Sequence, residues 1–172
     1  VKLPEIKKIL YCTQLGPNAA YIFRHAYALA HKLGARITVL HVVETLTPRQ
    51  EALVEGYAGA GALHAVVKRE EEGVEARLRK RIQKFCTLVV GKPDCSDLVE
   101  RIVVAEGHRP ADVILRQVAE TGADLVIMGA HAESTALASL MGSTAQRVVR
   151  KCPVPVLTVQ VPEGQQELTL TD

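Results

Sequence analysis

ADLVIMG at residues 123–129 and GSTAQRVVRKCPVPVLTVQV at residues 142–161 decide the reading of this chain. The first stretch is apolar through its centre and follows Gly122, which stops whatever precedes it. It reads as a buried strand, Ala123–Gly129. The second opens with a short helix over Ser143–Lys151, whose Ala145, Val148 and Val149 turn inward. Cys152-Pro153-Val154-Pro155 ends that helix and opens an apolar strand over Val154–Val161. Its prolines sit at the start, where a ladder tolerates a missing N–H. Strand, helix and strand in this order imply parallel pairing through a helical crossover.

Working outward, the same pattern recurs. Lys7–Thr13 is short and apolar and reads as a buried strand. After the turn Gln14–Asn18, residues Ile22, Ala26, Leu29 and Leu33 make one stripe of a helix over Ala19–Leu33, and Gly34 stops it. RITVLHVV at Arg36–Val43 is β-branched and gives a second strand. Glu100–Ala105 gives another, followed by a helix over Pro110–Glu120. Between them, Thr45–Gly61 holds Pro48 and three glycines and reads as a loop with room for a helical turn. Leu63–Cys86 reads as a long surface helix, with Glu71, Glu75 and Arg79 on one side. Five apolar strands alternating with helices predict an α/β fold: an open parallel sheet with helices on both faces. Ligands in such sheets bind beyond the strand carboxyl ends, where strand order reverses. That points to the segments after Thr13, Val43, Ala105 and Gly129.

Composition narrows the chemistry. The 172 residues carry a formal net charge of +2, which gives no reason to expect nucleic acid as a partner. Aromatics are 3% and Trp is absent, so base-stacking platforms are not expected either. No apolar run reaches the ~18–20 residues of a membrane span, and Val1–Lys8 lacks the apolar core of an export signal. Cys12, Cys86, Cys95 and Cys152 form no CxxC pair. Scattered in this way, they read as inert buried thiols in a reducing cytoplasm. The phosphate-loop GxxxxGK[ST], the dinucleotide GxGxxG, the hydrolase GxSxG and the zinc HExxH are all missing. What remains is the connection from Gly129 to Gly142-Ser143-Thr144. It starts at the ligand edge of a sheet and ends at a helix start, where unengaged N–H groups suit an anion. Spacing leaves two roles open for Ser143: holding a phosphate or capping the helix.

With these residues in place, the chain resembles the universal stress proteins of the UspA type. That family carries Gly-x-x-Gly, nine residues and Gly-Ser/Thr before its last helix and strand. Gly129 and Gly142-Ser143 stand at the matching positions, with residues 133–141 as the spacer. The likeness extends over the chain apart from residues 45–98 and the end. It implies a Rossmann-like fold of the adenine nucleotide alpha hydrolase type, one domain over residues 1–161 with 45–98 variable, and a polar tail over 162–172. It implies a nucleotide site for ATP or AMP, with the nucleoside against Cys12, Gln14 and Val42 and near Met128 and Gly129. His131 and Ala132 would border the phosphates, and Gly142, Ser143 and Thr144 would donate to them. For His131 a solvated loop position stays equally open.

Two positions depart from the family pattern. The second motif glycine is Ala132, and an aspartate ending the first strand is Gln14. Alanine crowds a position that favours positive φ, and glutamine lacks a charged acceptor. Both weaken the nucleotide expectation and leave an interaction module with an empty crevice as the alternative. No acidic pair for a metal and no placed general base is visible, so catalytic turnover ranks last and no metal is assigned. The resemblance also implies a cytoplasmic homodimer paired through the last strand, at Val154, Val156, Leu157 and Val159.

Overall fold

The computed structural model describes residues 3–59, 62–130 and 141–162, with only the backbone of residues 58 and 62–72. Five parallel strands form one sheet: β1 (Lys8–Thr13), β2 (Arg36–Glu44), β3 (Val99–Gly107), β4 (Leu125–Gly129) and β5 (Val156–Val159). Their order is β3-β2-β1-β4-β5. The helices between them are α1 (Ala19–Leu33), α2 (Pro48–Ala58), α3 (Ala62–Phe85), α4 (Pro110–Thr121) and α5 (Ser143–Lys151).

The continuous apolar runs become central strands because both faces are covered. Ile9 and Tyr11 of β1, Ile37 and Val39 of β2, and Leu125 and Ile127 of β4 pack with α1 and α3. The alternate residues Leu10, Cys12, Leu40, Val126 and Met128 pack with α4 and α5. This is the two-residue period of a strand read on both sides. Aromatic mass gathers on the first face only: Phe23 lies 5.2 Å from Tyr11 and 4.9 Å from Phe85, ring centre to ring centre.

The start of the β1–β4 pairing is tied by Asp124. Its Oδ2 accepts from the backbone N–H groups of Lys7 and Lys8 at 2.8 and 2.9 Å, and its own N–H donates to the Lys8 carbonyl at 2.8 Å. Asp124→Ala keeps the last bond and loses the two charge-assisted ones. The expected cost is about 1–3 kcal/mol, read as a lower urea midpoint at unchanged slope.

Three expectations are corrected. Residues 45–61 are not all loop: Pro48–Ala58 is helical. Thr47 and Gln50 form a reciprocal capping box, with the Thr47 N–H donating to Gln50 Oε1 at 2.9 Å and the Gln50 N–H donating to Thr47 Oγ1 at 3.4 Å. Capping with Pro48 in the first turn outweighs the glycine content. The last strand is shorter than Val154–Val161, because Pro153 and Val154 lie in a bend and pairing starts at Val156. The cysteines are not four separate thiols. A π-helical turn over Cys86–Val90 and Gly91 at φ +74° fold the chain back, and Cys86 and Cys95 are joined as a disulfide with Cα atoms 5.8 Å apart. Only Cys12 and Cys152 are free thiols.

Candidate functional site

Strand order reverses between β1 and β4, and a crevice of about 610 Å³ opens at the carboxyl ends there. It lies within the ~300–1,000 Å³ common for small-ligand pockets. Eight of the ten residues expected at a site line it: Cys12 and Gln14 at the end of β1, Val42 of β2, Met128 and Gly129 of β4, and Gly142, Ser143 and Thr144 at the start of α5. His131 and Ala132 fall outside the described residues. So does all of the 162–172 tail but Pro162, which lines the crevice.

The anion-binding end is built from the main chain. Gly142 is the N-cap of α5 and contributes no side-chain cap bond. Its own N–H is engaged by the Ala130 carbonyl at 2.9 Å, and the Ala130 N–H donates to the Val159 carbonyl at 2.9 Å. Both ends of the β4–α5 connection are thereby pinned side by side. The N–H groups of Ser143, Thr144 and Ala145 belong to the first helical turn, where no intrahelical acceptor exists. No hydrogen bond to another described residue engages them. The capping role for Ser143 therefore lapses: it stands inside the helix, exposed, on the crevice wall. Of the three basic residues of α5, Arg150 and Lys151 sit in its last turn and Arg147 pairs with Asp112 at 3.0 Å, and the N-terminal end carries the positive end of the helix dipole.

The opposite wall is apolar and unreactive. Burial, and secondarily the Cys152 thiol nearby, hold the Cys12 thiol far above the usual range, so it remains protonated. Sequence reasoning missed Glu44, an exposed carboxylate on the crevice rim. It ends β2 one residue beyond the expected Val43, and a polar residue directly after HVV was the available signal. No lysine or arginine occurs among the described lining residues. No group of three or more His, Cys, Asp or Glu side chains suited to a metal occurs among the described residues.

The residues expected at a dimer contact divide. Val156 and Leu157 lie on β5, the outermost strand beside β4, and Leu157 is 37% exposed. Val154 precedes the strand. Val159 is buried in its own core and lines the crevice instead.

The sequence profile of the universal stress protein family matches residues 5–160. The chain belongs to that family. It is similar to universal stress protein MJ0577 of Methanocaldococcus jannaschii, at 25% identity over 155 residues, 90% of this chain and 94% of that protein. The solved universal stress protein UspA from Lactobacillus plantarum superposes with a TM-score of 0.67 at 20% identity, covering 91% of this chain and 99% of the other. A universal stress protein solved in complex with cAMP shares the fold, with a TM-score of 0.54 at 17% identity, over 92% of this chain and 100% of that one. The family's Rossmann-like, adenine nucleotide alpha hydrolase-type fold is the one this universal stress protein has. None of its described helices is long and apolar enough to cross a membrane.

Proposed function

We propose that this universal stress protein binds an adenine nucleotide, ATP or AMP, in the β1–β4 crevice and acts as a dimeric stress-response or signalling module. The observation that carries the reading is the first turn of α5, with three N–H groups that no described residue engages, on the wall of a crevice of nucleotide size. The cAMP complex of a relative with the same fold supports the ligand class. Phosphate would sit on Gly142, Ser143 and Thr144, next to His131 and Ala132. The base would lie against Cys12, Val42 and Met128, and the ribose by Gln14 and Gly129. The functional unit would span residues 1–161. The compartment proposed is the cytoplasm.

Charge decides among the nucleotides. Glu44 is the only carboxylate, and no lysine or arginine accompanies it, among the described lining residues. Among the described residues an added phosphate would find helix-start donors and no lysine or arginine, with Glu44 as an opposing charge on the same crevice, so AMP is expected to compete well with ATP. Calorimetry checks this. Ala132→Gly is expected to tighten ATP by up to about tenfold, the equivalent of ~1.4 kcal/mol of relieved strain and crowding, while Gln14→Asp shifts all adenine nucleotides alike. Absence of heat with millimolar AMP and ATP in both the wild type and Ala132→Gly rejects the reading. The crevice would then be bare and the protein a dimeric interaction module.

A further inference from the structure

On the opposite face of the sheet a second cavity, of about 330 Å³, lies where α1 and α3 meet β1 and β2. Its walls are Tyr11, Val39, Ala20, Phe23, Leu78 and Phe85, and the Leu15–Pro17 turn closes one end. It is a concave site half open to solvent and lined mostly by apolar side chains, a shape that suits a small apolar ligand. The aromatic cluster of the chain surrounds it rather than filling it.

One charged group is present among the described lining residues: Arg81. It follows Leu78 and precedes Ile82 and Phe85 at helical spacing on the same face of α3, so a cation sits in the middle of an apolar stripe. The Arg81 Nη1 donates to the Leu15 carbonyl, 66 residues away in sequence. Its Nε is buried and has no hydrogen-bond partner among the described residues. No described carboxylate lies within ion-pair distance of the guanidinium. A guanidinium presents a planar fork of N–H donors that suits a carboxylate through paired bonds, and Arg81 has no described carboxylate to take that part. Leu15, which holds the other side of the guanidinium, has φ +45°, a conformation that leucine avoids. The contact keeps the group in place at the cost of local backbone strain.

We propose that this cavity is a second ligand site, separate from the crevice, for a single-chain apolar carboxylate. The tail would lie among Phe23, Val39, Leu78 and Phe85, and the carboxylate would pair with the guanidinium of Arg81, the one charged group among the described lining residues. The assignment does not depend on nucleotide binding.

Decanoate and decanol, titrated below their aggregation ranges and followed by calorimetry, test it. The expected result is saturable binding of one decanoate per chain, with decanol about tenfold weaker for want of the charge-assisted pair. Arg81→Met should bring decanoate down to the decanol level and leave decanol unchanged. Ala20→Leu should fill the cavity and abolish both, with a melting temperature no lower than the wild type. Ser143→Pro, in the crevice, should leave decanoate binding as it is. The proposal is overturned if decanoate shows no saturable binding, if decanoate and decanol bind equally, or if binding survives Ala20→Leu.

Discussion

Ser143→Pro is expected to weaken ATP binding by about ten- to hundredfold while leaving adenosine binding and the melting temperature close to those of the wild type. The substitution removes a main-chain donor without disturbing the fold. Ser143 is the first helical residue, where proline has the right φ and no intrahelical bond is lost. The residue before a proline must be extended, and Gly142 already is, at φ −59° and ψ 149°. What goes is one N–H that would face a phosphate. A hydrogen bond to a charged group contributes about 1.5–3 kcal/mol, which gives the stated range. Ser143→Ala keeps the N–H and loses only the hydroxyl, so its effect should be smaller. Equal ATP affinity in Ser143→Pro and the wild type would show that the helix start is not the phosphate site, whatever else occupies the crevice.

Leu157→Lys is expected to turn a dimer into a monomer, raising the dissociation constant by about a hundredfold or more. β5 is the edge of the sheet, and no described strand pairs with its outer N–H and C=O groups. Leu157 is exposed there, and a lysine on an edge strand opposes pairing with a second copy. Light scattering at tens of micromolar reads the mass directly. Val159 is not a substitute position, because a lysine there would enter the core beside Ile127 and the crevice. A monomeric wild type at that concentration would remove the dimer from the proposal.

Most of the crevice was legible because its signals are local. A strand ending in Gly129 and a helix opening with Gly142-Ser143 state their own geometry. A strand's carboxyl end is also the ligand end of any parallel sheet. Glu44 was overlooked for a reason of one residue: the strand was expected to stop at Val43 and pairing with β3 carries it to Glu44. α2 was legible too, through Thr47-Pro48-Arg49-Gln50, but glycine content hid it.

The sequence by itself determined the alternation of strands and helices, the parallel sheet, the helix start at Gly142-Ser143 and the family pattern. Each of these rests on residues within a few positions of one another, where periodicity, caps and turns act. Tertiary structure alone decided the rest. The order β3-β2-β1-β4-β5 sets which strand ends face each other and which strand is left at the edge. The π-helical turn after α3 brings Cys86 to Cys95 where spacing showed no pair. Arg81 reads on the helix as one more solvated charge, and it becomes a half-buried cation on the wall of an apolar cavity only when α3 packs against β1 and meets Leu15. The energy of a charge depends on what surrounds it in space, and the linear chain does not record those surroundings.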